Sequence, residues 1–364
     1  MKVALVHDWL TGMRGGEKAL EAICLAFPDA DLFTLLHVRG SVSATIERRQ
    51  IRTSFVQHLP AAARLYRHYL PLLPVAIEQF SFDGYDVVIS VSHCVAKSIV
   101  HTARTRHVCY CLTPMRYAWD QFGAYFGAQR VGRLGEAVLR PVLAWLARWD
   151  AATSGRVDRY VAISRYVADR IARYYNRHAQ IVYPPVDTVF FHPDGSAPQR
   201  SALVVSALVP YKRIEMAMSA CTRAGVPLRI VGEGPELTRL RNLAGPGIEF
   251  LGRVDDERVR ALYRQAGVVL MPGVEDFGIV PVEAQACGRP VVAVAGGGAT
   301  ETVVPGVTGT LVREAGEEAF ADAVVRTLDT RFDPAVIRGH AARFGYERFA
   351  NDIRSAVDEA LATS

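Results

Sequence analysis

The sequence predicts an α/β protein built as two doubly wound domains, each a parallel sheet covered on both faces by helices. Three observations carry this. Short Val- and Ile-rich runs, mostly four to six residues long, recur without clean polar alternation, as strands buried on both faces do. Segments of helical period fit between them. A Pro/Gly/Ser stretch near 184–200 divides the series, and 364 residues suit two domains at roughly 100–200 residues each.

In the first half the strand candidates are residues 3–6, 31–36, 87–91, 107–112, 159–163 and 180–183; in the second they are 202–207, 228–231, 249–251, 268–271 and 291–294. Helical periods fit 17–27, 213–224, 235–243, 255–265 and 281–287. After Tyr183-Pro184-Pro185 the stretch Phe191-His192-Pro193-Asp194-Gly195-Ser196-Ala197-Pro198 is too broken for helix or central strand. An N-terminal domain over 1–190 and a C-terminal domain over 199–345 are expected, with a helical tail over 346–364. Ligands of open α/β sheets bind beyond the carboxyl ends of the strands, so two such domains predict a cleft between them.

Composition narrows the class. Half the residues are hydrophobic and 22% are charged, which excludes wholesale disorder and coiled coil. The opening MKVALVHDWL is too short for a signal-peptide core, and no run reaches about 18 apolar residues. Six cysteines without a CxxC pair make neither a disulfide framework nor a zinc site, and read as a reducing, cytosolic setting. The net charge of +5 is uneven: residues 1–195 hold 23 Lys and Arg against 16 Asp and Glu, and 196–364 hold 19 against 21. Ten arginines and four acids lie between Arg130 and Arg177. A basic half suits an anionic partner such as a phospholipid surface, a lipid-linked phosphate or nucleic acid, and a solvated Arg-rich helix face explains it too.

The most informative stretch runs from Met271 to Ala284. A buried strand ends, a Gly/Pro turn follows, and a helix starts near Ile279. The backbone N–H groups of Phe277, Gly278 and Ile279 then lie at a helix N-terminus, where negative charge is favoured. Glu275 and Glu283 would repel an anion there, so they should face something else, such as sugar hydroxyls. A capping acid and a surface helix residue are the structural alternatives for the two.

These residues, within EDFGIVPVEAQACGRPVVA, resemble the signature of the retaining glycosyltransferases of family 4, which have the GT-B fold. The resemblance extends along the chain through Gly15-Gly16-Glu17, Ser92-His93-Cys94-Val95-Ala96-Lys97 and Thr113-Pro114-Met115-Arg116-Tyr117-Ala118-Trp119. It continues in Val209-Pro210-Tyr211-Lys212-Arg213, Val231-Gly232-Glu233-Gly234-Pro235, Phe250-Leu251-Gly252-Arg253 and Gly296-Gly297-Gly298 with Glu301. Each piece is weak alone; their order and spacing together are specific. The resemblance implies two Rossmann-like domains facing a cleft, with the C-terminal helix crossing back to the N-domain.

It also implies roles. Glu283 would bind the ribose of a nucleotide-diphospho-sugar, and Glu275 the donor sugar's hydroxyls. The amides from Phe277 to Val280, with Gly232, would hold the sugar and diphosphate. Lys212 and Arg213 would neutralise the leaving diphosphate as its charge grows. A solvated helix start is the bland reading of that pair, weakened because cations are disfavoured at a helix N-terminus. His93 would contact the sugar near its anomeric carbon. Gly15 and Gly16 would let backbone approach phosphate or acceptor, although a plain tight turn accounts for them as well. The family implies no metal or other cofactor. The donor expected is a GDP-sugar in preference to a UDP-sugar, GDP-mannose first, since the N-terminal motifs resemble mannosyltransferases of bacterial polysaccharide assembly. The acceptor would be a glycan or lipid-linked hydroxyl, and nucleic acid is not expected as a partner.

Two positions depart from the family pattern: Ala207 stands where an Arg often precedes the phosphate Lys, and Leu112 where His is usual. Other signals are explained locally. Asp29-Ala30-Asp31 spells DxD, but a turn opening a strand accounts for it. The loop TGMRGGE is no GxGxxG, and Cys109 and Cys111 alternate along a strand. Asp8, at the end of the first strand, is a further candidate for touching the acceptor. Residues 66–76 and 138–149, with Trp145 and Trp149 beside arginines, suit either a lipid interface or helix packing. The localisation expected is cytoplasmic, with peripheral contact at the inner face of the plasma membrane. Rival readings are an epimerase or sugar phosphorylase on the same plan, or a silent nucleotide-sugar-binding protein.

Overall fold

The computed structural model describes residues 1–120, 128–313 and 316–362. The chain forms two compact units: residues 1–185 with the tail from Glu347, and residues 186–346. Each carries one parallel sheet, as the buried Val/Ile runs predict.

Unit 1 contains β1 (Val3–His7), β2 (Asp31–Thr34), β3 (Ile51–Thr53), β4 (Val87–Ser92), β5 (Arg106–Cys111), β6 (Arg159–Ala162) and β7 (Ala179–Ile181). Their order is 3-2-1-4-5-6-7, and every pair is parallel. Unit 2 contains β8 (Ala202–Val205), β9 (Leu228–Val231), β10 (Ile248–Gly252), β11 (Val268–Met271), β12 (Val291–Val294) and β13 (Gly309–Val312), ordered 10-9-8-11-12-13. The winding reverses between β1 and β4 in one unit and between β8 and β11 in the other. Such switch points are where ligands of doubly wound sheets bind.

The helices that matter below are α1 (Gly15–Ala26), α2 (Ala128–Ala152), α3 (Arg165–Tyr175), α4 (Ile214–Ala224), α5 (Asp256–Gln265), α6 (Ile279–Ala286), α7 (Glu317–Asp329) and α8 (Tyr346–Ala362). Their starts follow local chemistry. Ser164 caps α3 by accepting from the Val167 amide, and Asp255 caps α5 through the Arg258 amide. Within α2 the backbone leaves helical geometry at Gly132, at φ 74°. From Glu347 onward α8 packs into unit 1, with Phe349 edge-on to Tyr110 at 5.5 Å and Arg354 donating to the Ala26 carbonyl.

Two strands escape the sequence reading. β3 is a half-exposed edge of three residues, and β13 opens on a glycine; neither offers an apolar run long enough to notice. β2 ends at Thr34, two residues early, because the Leu35 amide turns to the Asp8 carbonyl at 3.2 Å.

The two segments weighed for lipid contact are split by burial. Tyr66, Leu70, Leu73, Leu143 and Leu146 belong to the unit 1 core. Leu72, Val75, Val138 and Trp145 are exposed, and the Trp149 indole donates to Glu78 at 3.3 Å. Among the described residues no helix is long and apolar enough to cross a membrane.

Candidate functional site

In unit 2 the loops after β8 and β11 meet at the switch point. After β8 the chain passes exposed Ala207, makes a 3-10 turn over Pro210–Lys212, and bends through Arg213 at φ 52° into α4. The predicted helix start at Arg213 therefore shifts by one: Arg213 is the left-handed corner, with its side chain exposed. After β11, Gly273 crosses the first loop so closely that a Cβ there would lie 2.6 Å from the Tyr211 carbonyl oxygen and 2.8 Å from the Lys212 Cα. That crossing joins the Lys212 ammonium to the Glu275 carboxylate in an ion pair, with both side chains largely buried.

Gly278, at φ 86°, turns the chain into α6, a conformation open to glycine at no steric cost. The N-cap of this helix is Gly278, which has no side chain to bond its first amides, and a helix N-terminus favours negative charge. The Phe277 ring is buried edge-on against Phe344 at 5.6 Å, and its backbone passes close to Gly298, where a Cβ would strike the Phe277 carbonyl oxygen. Ile279 and Val280 form the first turn of α6. Gly232 lies against the end of β8, where a Cβ would strike the Ser206 carbonyl oxygen.

Glu283 is buried inside α6 and is no surface residue. The Tyr263 hydroxyl on α5 donates to its Oε2 at 2.9 Å, and burial, reinforced by that carboxylate, pushes the phenol well above its ordinary pKa. Tyr263 is a partner of Glu283 that spacing does not reveal, because it comes from another helix.

In unit 1 the residues gather where β1 and β4 end. His7 is buried, its Nδ1 donating to the Val91 carbonyl at 2.9 Å, with Nε2 4.0 Å from Glu17 Oε1. Burial opposes the charged imidazole, and the Glu17 carboxylate outweighs it, so the His7 pKa is raised. Glu17 in turn is lowered: burial resists its charge and His7 favours it. His93 is 28% exposed and edge-on to Trp9 at 4.6 Å. Burial lowers its pKa, with Asp8 opposing.

Asp8 is a correction. Its carboxylate is fully buried and accepts from four successive amides: His93 at 2.8 Å and Cys94 at 2.9 Å on Oδ2, Val95 at 2.7 Å and Ala96 at 2.8 Å on Oδ1. With Oδ2 also 3.1 Å from His93 Nδ1, Asp8 is a clasp for the turn after β4 and does not reach an acceptor. Gly15 and Gly16 are the first turn of α1, and form no separate tight turn. A Cβ on Gly16 would lie 2.9 Å from Leu112 Cδ1, the end of a side chain that can turn aside.

The two N-terminal motifs converge on a residue the sequence reading missed, Asp150 at the end of α2. The buried Lys97 ammonium lies 3.0 Å from Asp150 Oδ1, while Trp119 and Tyr175 each donate to Oδ2 at 2.8 Å. These motif residues hold the scaffold beneath His93. Asp31 opens β2 and accepts from Tyr85. No group of three or more His, Cys, Asp or Glu that could hold a metal occurs among the described residues.

Residues 191–345 match the family described as "Glycosyl transferases group 1". The chain is 33% identical over 234 residues to a D-inositol 3-phosphate glycosyltransferase of Mycobacteroides abscessus, covering 56% of this chain and 52% of that protein. It is 36% identical over 198 residues to a GDP-mannose-dependent alpha-(1-6)-phosphatidylinositol monomannoside mannosyltransferase of Mycolicibacterium smegmatis, covering 46% and 52%. The chain thus spans about half the length of the curated relatives it matches. An Anabaena protein solved in complex with UDP-glucose superposes with a TM-score of 0.70 at 18% identity, over 99% of this chain and 100% of that one; this likeness shows the GT-B fold.

Proposed function

With residues 191–345 a glycosyl transferases group 1 domain, we propose that the whole chain is a retaining, metal-independent glycosyltransferase that moves mannose from GDP-mannose to a glycan or lipid-linked hydroxyl. The observation that carries this is the crossing at Gly273, which joins Lys212 to Glu275 in the loop that leads into the N-terminus of α6. Positive charge and backbone donors stand there together with a carboxylate, as a nucleotide-diphospho-sugar requires.

In this reading unit 2 holds the donor. Glu283, set by Tyr263, grips the ribose diol. Glu275 orients the sugar, and the amides of Phe277, Gly278, Ile279 and Val280 face its diphosphate. Lys212 exchanges part of its pairing with Glu275 for the leaving phosphate, and Arg213 adds a second cation. Stabilising the charge that builds on the leaving group lowers the barrier without a bound metal. Unit 1 holds the acceptor, and His93 and the amides of Gly15 and Gly16 are its substrate-facing groups. The leaving diphosphate itself takes the acceptor proton, so the new bond forms on the face the nucleotide leaves.

GDP-mannose is preferred because the mycobacterial relative is named for it. UDP-glucose is the second reading, favoured by the ligand named for the Anabaena protein. The basic first half and exposed Leu72, Val75, Val138 and Trp145 support a cytoplasmic enzyme with peripheral contact at an anionic membrane.

A thermal-shift panel of GDP, UDP and ADP with their sugar conjugates, with and without EDTA, tests the donor. A ligand at a hundredfold excess over Kd adds roughly 2.7 kcal/mol of stability. Stabilisation by GDP alone, unchanged by EDTA, is the result expected; no response to any nucleotide overturns the reading. Stabilisation by UDP alone selects the second donor.

A further inference from the structure

Two histidines and two carboxylates are packed together where β1 and β4 end and α1 begins, and their partners fix where the protons are. His7, the last residue of β1, is fully buried. Its Nδ1 lies 2.9 Å from the Val91 carbonyl oxygen, which can only accept, so Nδ1 carries a hydrogen. Its Nε2 is buried without a hydrogen-bond partner and lies 4.0 Å from Glu17 Oε1. Glu17 is held as an anion. Its Oε2 accepts from the Arg14 amide at 3.1 Å, and it stands in the first turn of α1, where the helix end favours negative charge. A lone pair on Nε2 is repelled by that carboxylate, and a proton there is attracted to it. Both ring nitrogens of His7 are therefore protonated.

His93 differs in each respect. Its Nδ1 is buried and lies 3.1 Å from Asp8 Oδ2. Asp8 already accepts four amides, so it is ionised, and the hydrogen between the two groups belongs to Nδ1. A second proton, on Nε2, would make the ring a cation. Burial opposes that charge most; the His7 ring, 5.8 Å away between centroids, and Arg67 oppose it too. Asp8 and Glu17 favour it, but the Asp8 charge is shared among four N–H groups and the Glu17 charge is offset by His7. Trp9, edge-on at 4.6 Å, holds the ring plane. Since Nδ1 is the buried nitrogen, the exposed side of the ring carries Nε2.

We propose that this cluster holds its two histidines in opposite states: His7 as an imidazolium locked between Glu17 and Val91, and His93 as a neutral ring with its hydrogen on Nδ1 and a bare Nε2. His7, Glu17 and Asp8 are positioning residues, acting through His93. A bare Nε2 accepts from a hydroxyl and has no hydrogen to give a phosphate. The proposal rests on the reading of His93 as a substrate-facing group, and adds the state of that ring and the residues that set it.

The test is long-range 15N–1H NMR of the full-length protein labelled at histidine, which separates protonated from bare ring nitrogens. Signals are assigned by their loss in His93→Gln and in His7→Asn, whose amide keeps the bond to Val91. At pH 6.5, the ordinary midpoint of an imidazole, His7 should be mostly charged on both nitrogens. His93 should be mostly neutral, with Nδ1 protonated and Nε2 bare. Glu17→Gln should lower the His7 midpoint by about one pH unit or more and leave the His93 tautomer unchanged. Should His7→Asn not fold, His7 is identified as the histidine that loses its proton in Glu17→Gln. Millimolar inorganic phosphate at pH 7 should leave the His93 signals unmoved. A hydrogen on His93 Nε2 at pH 7, a neutral His7 at pH 6.5, no histidine responding to Glu17→Gln, or phosphate drawing a proton onto His93 overturns the proposal. No nucleotide takes part in this measurement, so a silent nucleotide panel would remove the transferase reading and leave the histidine states standing.

Discussion

Replacing Asp8 by Asn tests whether the clasp at the end of β1 holds unit 1 together. The carboxylate accepts four backbone N–H groups, from His93 to Ala96, two on each oxygen. An amide keeps one acceptor oxygen and turns an NH2 group toward the other two donors, so two bonds are lost and like groups face each other. A hydrogen bond to a charged acceptor contributes about 1.5–3 kcal/mol, which predicts a loss of about 3–6 kcal/mol against a domain stability of about 5–15 kcal/mol. All four tryptophans, at 9, 119, 145 and 149, belong to unit 1, so their fluorescence in a urea titration follows this unit alone. With a slope of about 2 kcal/mol per molar urea, the midpoint should fall by about 1.5–3 M. Asp8→Ala, which orphans all four donors, should leave unit 1 unfolded while nucleotides still bind unit 2. A midpoint for Asp8→Asn within about 0.5 M of wild type would refute the view that these bonds carry the turn.

Three further outcomes are expected. Tyr263→Phe removes the hydroxyl that fixes Glu283; losing about 1 kcal/mol of orientation should raise the donor KM roughly fivefold and leave kcat nearly unchanged, whereas equal effects on both would point to general loosening. Gly273→Ala forces the β8 and β11 loops apart, and activity should fall more than about a hundredfold, as misplacement by about 1 Å can cause, with far-UV circular dichroism unaltered; wild-type turnover would sink the crossing as the basis of the site. His107 is fully buried, and burial pushes its pKa down to about 3 from 6.5. The unfolded chain therefore binds a proton that the folded one refuses, so this stability is complete above pH 6.5 and is lost as pH falls toward 3, by about 1.4 kcal/mol per pH unit. In His107→Gln the slope of unfolding free energy between pH 6 and 4.5 should be shallower by that amount (about 1.4 kcal/mol per pH unit), and an unchanged slope would contradict the assignment.

The sheets were legible because burial on both faces writes itself as Val/Ile runs: β9, β11 and β12 begin and end where those runs do. β3 escaped because an edge strand of three residues, Ile51-Arg52-Thr53, needs no apolar pattern. The helix start at Ile279 follows from Gly278 and the preceding turn. The burial of Glu283 had a local signal too, since Ile279-Val280-Pro281-Val282 before it and Ala284-Gln285-Ala286 after it leave no polar face. Other features have no local signal. The contact of Gly273 with Tyr211 and Lys212 depends on how two loops cross, and Asp150 meets Lys97 across 53 residues. Asp8 was misread for the same reason. A carboxylate at a strand's end looks available for a ligand until the four amides that occupy it come from a segment 85 to 88 positions away.

The assignment of α8 to unit 1 bears on how the protein is made. Unit 2 is contiguous, and everything it needs has emerged from the ribosome once Tyr346 has cleared the exit tunnel. Unit 1 is translated in two instalments, and Phe349, Ile353 and Val357 of its core arrive only after the whole of unit 2. The segment synthesised first therefore lacks the helix that packs on Tyr110 until the whole of unit 2 has been made. Chaperone engagement, if the nascent chain needs it, belongs to that interval and to the N-terminal segment.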